Sequence, residues 1–174
     1  MKKLMLLIVC CCFICGCATS SVKINYSPGS KSVVAVLPLD GEYGGQASDY
    51  ISEQLALNGI QIIERAQVDT ILREHGYREN KNFDQSTLSD FGKMYGVKKV
   101  FTGTISEIWS PMYGFPHVNI TLKLVDVATG KVLWIGRYGN SLWTSAISTQ
   151  GDIQRGAKFI VQEFIKVYGC NLDQ

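Results

Sequence analysis

The spacing of apolar positions changes along the chain, and each change predicts a different element of secondary structure. Residues 33–39 form an apolar run without helical period, which is typical of a strand buried on both faces. Residues 47–55 then carry apolar side chains at helical spacing, and Asn58-Gly59 predicts the end of that helix. The first half is completed by a predicted strand at 60–63, a helix at 66–75 and a helix between Asp84 or Ser86 and Gly96.

The second half of the domain changes to a period of two. Alternating residues at 99–108, 117–127 and 132–138 predict three antiparallel strands, with a tight turn at 128–131. An apolar stripe that begins at Ile153 predicts a closing helix of about 18 residues, which ends at Gly169. The order β-α-β-α-α-β-β-β-α indicates a single domain of the α/β (α+β) class, a mixed sheet with helices packed on it.

The first 16 residues do not belong to this pattern. Two lysines follow the start methionine and precede a short apolar run at 4–14, which is the layout of a secretory signal. The run is shorter than the roughly 20 apolar residues that a membrane-spanning helix needs. Residues 18–31 are polar and contain Pro28-Gly29, which predicts a flexible tether. We therefore predict a signal peptide at 1–16, an N-terminus and tether at 17–32, and a folded domain at 33–170.

The end of the signal, Ile14-Cys15-Gly16-Cys17, resembles the bacterial lipobox. That resemblance implies cleavage before Cys17 and attachment of diacylglycerol and a fatty acid such as palmitate to it. Thr19 stands where Asp would favour the inner membrane, which implies an outer-membrane lipoprotein whose domain faces the periplasm. Acyl chains bind a bilayer with about 0.8 kcal/mol for each buried CH₂ group, so such an anchor would be stable. An ordinary secreted protein with a cysteine-rich signal and an uncleaved membrane stub are the alternatives.

Charge and cysteine content narrow the function classes. The chain has 17 basic and 15 acidic residues, and the loss of Lys2 and Lys3 with the signal would bring the two counts into balance. Basic residues are scattered rather than clustered, which argues against nucleic acid as a partner. Cys170 would be left without a partner in its own chain, either as a free thiol or in an intermolecular bridge.

Four segments, taken in order, resemble the CsgG-type curli-assembly lipoprotein family. They read VAVLPL at 34–39, QIIER at 61–65, FGKMYGVKKVFTGTI at 91–105 and LKLVDVATGKVLW at 122–134. The resemblance implies the periplasmic fold that this family shares with PelC-like and LpoB-like lipoproteins and with the TolB N-terminal-like domain. Within these segments, Gly92 and Gly103 are predicted to sit where close packing excludes a Cβ, and Gly96 and Gly130 where the backbone turns.

The resemblance implies an outer-membrane accessory in assembly or secretion that forms a homo-oligomer and contacts an envelope protein or an exported polymer. The links at 108–117 and 138–151 are too short for the membrane-spanning hairpins of a CsgG pore, since two strands of about 9 to 11 residues would be needed. The alternative is an LpoB-like monomeric regulator that docks on a cell-wall synthase. The short tether, which spans at most about 50 Å, weighs against that alternative.

Residue patterns of an enzyme are absent from the sequence. There is no phosphate loop and no dinucleotide fingerprint, and His75 and His117 lack the paired cysteines of a metal site. Asp40 and Glu42, which follow the first strand, are predicted to form a solvated acidic loop rather than a ligand site. We therefore predict no catalytic residues, no cofactor and no bound metal.

One predicted loop is unusually apolar. Residues 109–116, with the sequence WSPMYGFP, combine large apolar side chains with two prolines, whereas loops are normally polar. An apolar loop tip indicates contact with a membrane, a neighbouring subunit or the protein's own core. The predicted contact residues are Trp109, Met112, Tyr113, Phe115 and, past the last strand, Trp143.

Overall fold

The computed structural model describes residues 33–74, 85–110, 115–140 and 148–169. Within these residues the strands are β1 (Val34–Val36), β2 (Ile62–Ile63), β3 (Lys99–Ser110), β4 (Phe115–Asp126) and β5 (Val132–Gly139). The helices are α1 (Gly44–Leu57), α2 (Arg65–Glu74), α3 (Gln85–Tyr95) and α4 (Thr149–Tyr168). The predicted order of elements and the predicted class, a single mixed-sheet domain with helices packed on it, are confirmed.

The strands form one five-stranded sheet in the order β2-β1-β3-β4-β5. β1 lies between β2 and β3 and is parallel to both, with Ala35 opposite Ile63 on one side and Val100 on the other. β3, β4 and β5 form an antiparallel meander. The sheet is therefore mixed, and β5 is one of its two edges within the described residues.

The first strand is shorter than predicted because Pro38 has no N–H to donate to a ladder. Regular pairing stops at Val36, but the chain keeps its contact with β3 beyond the proline. Leu37 donates its N–H to the carbonyl of Phe101 at 2.9 Å, and Asp40 donates to Gly103 at 2.9 Å. The buried hydroxyl of Ser48 in α1 accepts the N–H of Leu39 at 3.0 Å. The backbone groups around the break are thus satisfied within the domain.

The two faces of the sheet carry two separate apolar clusters. α1 and α4 cover one face, where Phe164 is fully buried against Phe101 of β3 and Trp134 of β5, with ring centroids 5.1 and 5.2 Å apart. α2 and α3 cover the opposite face, but only over β1 and the neighbouring ends of β3 and β4. The second cluster consists of Ala35, Leu37, Val68, Leu72, Leu88, Phe91, Val97, Val100, Val125 and Val127.

Two glycines predicted to exclude a side chain do so. A Cβ on Gly92 of α3 would lie 2.2 Å from Cγ1 of Val127, and a Cβ on Gly103 would lie 1.9 Å from the carbonyl oxygen of Thr121. The predicted turns at Gly96 and Gly130 have positive φ, 66° and 67°. Close packing thus explains Gly92 and Gly103, and backbone conformation explains Gly96 and Gly130.

β3 and β4 are longer than the sequence predicts, and the predicted loop at 109–116 is wrong at both ends. The ladder pairs Trp109 with Pro116 and Ser110 with Phe115, so these four residues lie in strands. A proline usually indicates a loop, but at the position of Pro116 in β4 no neighbouring strand needs the N–H that proline lacks. Even-numbered β4 residues turn their backbone groups towards β5, as Val118 does towards Asn140, and β5 ends at Gly139, which pairs with Asn119.

Gly103→Ala is expected to destabilise the domain by about 2 kcal/mol, because the methyl group would meet backbone atoms of Thr121 that cannot rotate away. Urea denaturation followed by circular dichroism measures the free energy of unfolding. Gly139→Ala is the matched control, since its Cβ would approach only a side-chain oxygen of Asn119, at 2.9 Å. Equal stability of the two variants would contradict the close approach.

The β4–β5 turn is expected to give the domain an acid-sensitive contribution to stability. The Asp126 carboxylate accepts the hydroxyl of Thr129 at 2.7 Å and its N–H at 2.8 Å, and these bonds lower the pKa of Asp126 below its ordinary value. The stabilisation is complete above the unfolded-state pKa of about 3.9 and is lost as pH falls through the lower folded-state pKa.

Because Asp126 lies near the surface, its contribution is expected to stay below about 1 kcal/mol. The free energy of unfolding measured between pH 6 and pH 2 should fall less steeply in Asp126→Asn than in the wild type. Thr129→Val, which removes only the hydroxyl, should give an intermediate slope. A wild-type slope in both variants would exclude this turn as a source of acid sensitivity.

Candidate docking surface

The meander of β3, β4 and β5 has one buried face and one exposed face. Successive side chains of a strand point to opposite faces. The even-numbered β4 residues from Val118 to Leu124 are buried beneath α1 and α4. The odd-numbered β4 residues from His117 to Lys123 therefore lie on the opposite face, where the cluster beneath α2 and α3 reaches only as far as Val125 and no other described helix covers the sheet.

We call this uncovered region the open face. Across its middle, Thr102 of β3 lies opposite Lys123 of β4, which lies opposite Ile135 of β5. The next row joins Thr104, Thr121 and Arg137. The open face consists of Thr102, Thr104, Ser106 and Ile108 from β3, His117, Asn119, Thr121 and Lys123 from β4, and Ile135, Arg137 and Gly139 from β5.

Two apolar side chains of the open face are strongly exposed, Ile108 at 58 % and Ile135 at 50 %. The charged side chains between them are Lys123 and Arg137, and neither forms an ion pair with another described residue. Glu107, the one acidic residue in β3, is on the opposite face, where it accepts the hydroxyl of Thr149 at 2.9 Å. The open face thus combines two exposed apolar side chains with several hydroxyl groups and two positive charges.

The backbone of β5 adds a second feature at the edge of this face. Asn140 donates its N–H to the carbonyl of Val118 at 3.3 Å, and its side-chain Oδ1 accepts the N–H of Val118 at 2.8 Å. Even-numbered β5 residues therefore direct their backbone groups towards β4. By the same alternation, Ile135, Arg137 and Gly139 direct their N–H and C=O groups away from the sheet.

The buried polar groups near the end of β5 have structural roles. Asp152 is fully buried in the first turn of α4 and accepts the side-chain N–H of Asn140 at 2.8 Å. Tyr138 lies beside it, and burial together with the Asp152 charge raises the pKa of Tyr138. These contacts hold the start of α4 against β5.

A second polar cluster lies at the other side of the α4 N-terminus. The hydrogen bond between the Tyr43 hydroxyl and the Glu107 carboxylate raises the pKa of Tyr43 above its ordinary value. Neither cluster pairs a nucleophile with a base. A shallow groove of about 440 Å³ runs between α1 and α4 and is open to solvent, with Tyr50, Glu53 and Lys158 in its lining.

The sequence-predicted site residues are divided by the structure as follows. Trp109 and Phe115 lie in the paired ends of β3 and β4, whereas Cys17, Met112, Tyr113 and Trp143 lie outside the described residues, as do His75 and Cys170. Asp40 and Glu42 are exposed, as predicted for a solvated loop.

Over residues 33–74, 85–110, 115–140 and 148–169 there is no cluster of side chains able to hold a metal ion. None of the helices in these ranges is long and apolar enough to cross a membrane.

Sequence analysis missed the residues of the open face at β5. The signal was present, because residues 132–135 read Val-Leu-Trp-Ile and break the alternation expected of a strand with one solvated face. Ile135 therefore places an apolar side chain, 50 % exposed, at an outward position of an edge strand.

Comparisons with known proteins identify one family that this chain matches. Residues 45–139, from the start of α1 to the end of β5, match the family described as peptidoglycan-synthase activator LpoB. This match covers more than half of the 174 residues. A comparison with curated proteins finds no match.

Two solved structures share the fold at low identity, and a third gives a weaker match. Lipoprotein GNA1162 from Neisseria meningitidis is 16 % identical, with a TM-score of 0.55 over 81 % of this chain and 99 % of its own. A PelC dodecamer from Paraburkholderia phytofirmans is also 16 % identical, with a TM-score of 0.51 over 82 % of this chain and 91 % of its own. The LpoB C-terminal domain from Salmonella enterica is 17 % identical, with a TM-score of 0.48 over 66 % of this chain and 87 % of its own.

These findings correct one prediction and confirm another. The CsgG-type assignment, with its curli-assembly and secretion functions, is not supported, whereas the predicted LpoB-like relationship is, and the predicted likeness to PelC is shown at the level of the fold. Within the segments that suggested CsgG, Gly92 and Gly103 make close packing contacts inside this chain's own fold. The family comprises activators of an enzyme, which confirms the prediction that the chain is not itself an enzyme. The chain belongs to the peptidoglycan-synthase activator LpoB family.

Proposed function

We propose that this protein is an outer-membrane lipoprotein whose periplasmic domain docks on a peptidoglycan synthase and raises its activity. The observation that carries the proposal is the family match over residues 45–139, which spans the entire meander.

In this proposal Cys17 carries the lipid, residues 1–16 are the signal peptide, and 17–32 link the anchor to the domain. A tether of this length extends to about 50 Å at most. The synthase would therefore have to present its docking site within that distance of the outer membrane. The lipid would confine the regulator to this layer and so raise its local concentration.

The purified mature protein is expected to increase glycan polymerisation by the peptidoglycan synthase of the same organism, measured by consumption of fluorescent lipid II in detergent. Cys17→Ser should leave this stimulation intact, because the domain makes the contact, but should remove the protein from the outer-membrane fraction, because no lipid can be attached. Cys170→Ser is the matched control and should change neither property.

Lack of stimulation by the wild-type protein would contradict the proposed function. Retention of the Cys17→Ser variant in the outer-membrane fraction would contradict the anchor alone. The two parts of the proposal are thus tested separately.

The aromatic residues at the β3–β4 end, Trp109, Met112, Tyr113 and Phe115, together with Trp143, are proposed as a second contact with the membrane or a neighbouring subunit. The double change Trp109→Ser and Phe115→Ser should weaken binding to phospholipid vesicles or reduce native oligomer mass, without loss of the circular dichroism spectrum. Val167→Ser, at a 69 % exposed apolar position of α4, is the control. Unfolding of the double variant would instead show that these rings belong to the core.

A further inference from the structure

The edge of β5 offers backbone groups in the pattern that an additional strand would use. Ile135, Arg137 and Gly139 direct their N–H and C=O groups away from β4, as the Asn140–Val118 pairing requires. The outward carbonyl of Leu133 is already occupied, since the Tyr168 hydroxyl donates to it at 2.9 Å. Three consecutive outward positions thus remain for pairing in the described part of the chain.

Apolar side chains flank this edge on both sides of the sheet. Ile135 lies on the open face and is 50 % exposed. On the opposite side, Phe159 of α4 packs beside Tyr138 of β5, with ring centroids 5.9 Å apart, and remains 46 % exposed. A strand added to β5 would place alternate side chains against Phe159 and against Ile135, and would remove both from water.

From Trp134 to Gly139, β5 has no proline and no bulge, no other described strand pairs with this edge, and its one charged side chain is that of Arg137. Natural proteins blunt an edge with a proline, a bulge or a covering element, because an open edge pairs with other chains. The irregular pairing in β5 is confined to the region of Leu133, where the register shifts. From Trp134 to Gly139 the edge is regular and is suited to pairing.

Charge favours an acidic occupant. Arg137 lies at the middle of the exposed edge and Lys123 lies on the adjacent strand, and neither forms an ion pair with a described residue. Antiparallel pairing of a second β5 across a two-fold axis at Arg137, the middle of the three outward positions, would place the two Arg137 side chains opposite each other, and like charges directly opposite are destabilising. The chain's own tether at 18–32 is also unsuitable, since its charged residues are Lys23 and Lys31.

We propose that β5 is a strand-addition site for an extended segment of the peptidoglycan synthase, with apolar side chains at alternate positions and an acidic side chain that faces Arg137. This inference rests on the proposed function, because it names the surface through which the activator docks. Main-chain hydrogen bonds to the outward groups of β5 set the register, and Arg137 selects the acidic side chain.

The test uses the full mature chain and the purified synthase of the same organism, with affinity measured by biolayer interferometry. Ile135→Asp and Phe159→Asp, on opposite sides of the edge, should each weaken binding by at least about tenfold. Arg137→Pro should do the same, because it removes an outward N–H and leaves the β4–β5 ladder intact. Arg137→Gln should have a smaller effect, since it removes only the charge.

Leu57→Asp is the matched control, because Leu57 is also an exposed apolar residue, at 40 %, but lies at the end of α1. It should bind within about twofold of the wild type, as expected for a position outside the contact. In the complex, hydrogen exchange at the amides of Ile135, Arg137 and Gly139 should slow. That measurement needs no variant, so it tests the site even if a substitution disturbs folding.

Each remaining outcome would overturn the inference. Wild-type affinity in all edge variants, or unchanged exchange in β5, would place the docking surface elsewhere while the proposed function stands. Sensitivity to Ile135→Asp but not to Phe159→Asp would indicate docking on the open face without strand addition. If the edge variants form smaller oligomers than the wild type but still bind the synthase, the β5 edge pairs with a second copy of this chain instead. Failure of the wild-type protein to bind the synthase would overturn the proposed function and this inference together.

Discussion

The ring of Phe164 is the contact on which the arrangement of the domain depends. It is fully buried in α4 and meets Phe101 of β3 and Trp134 of β5 edge to face, while Tyr168 stacks on it at 5.1 Å. One helix is thereby joined both to the strand at the centre of the sheet and to the strand at its edge. Edge-to-face aromatic pairs add about 0.5–1.5 kcal/mol beyond the area that they bury, so this cluster alone carries a sizeable part of a small domain's stability.

α1 and α4 bury one face of the meander, and most of the opposite face is not packed against any described helix. α2 and α3 bury only the β1 side of that face, around Ala35 and Val100. Helices therefore cover both faces of the sheet at its parallel strands but only one face at most of its antiparallel strands. This agrees with the tendency of parallel strands to be buried on both faces. The open face results from the order of the strands and from the absence of a further helix over β4 and β5 in the described residues.

The order of elements and the turn at Gly130 could be predicted from sequence because both depend on local patterns. The position of β5 at the sheet edge could not, since pairing partners are chosen by packing between distant segments. The prediction at Pro116 was wrong because a proline usually indicates a loop. A strand can contain a proline where no partner needs the missing N–H, and only the register of the strands shows whether that is so. Sequence alone likewise could not distinguish the LpoB family from CsgG, because Gly92 and Gly103 serve the common backbone and not the partner.

The strict alternation of β4 has an evolutionary consequence. Leu122 and Leu124 are fully buried in the larger apolar cluster, whereas Thr121 and Lys123, their direct neighbours in the chain, are half-buried on the face that no described helix covers. From His117 to Lys123, substitutions at odd-numbered positions are therefore expected to cost less stability than substitutions at even-numbered positions. The two faces of this one strand can thus change at different rates during evolution.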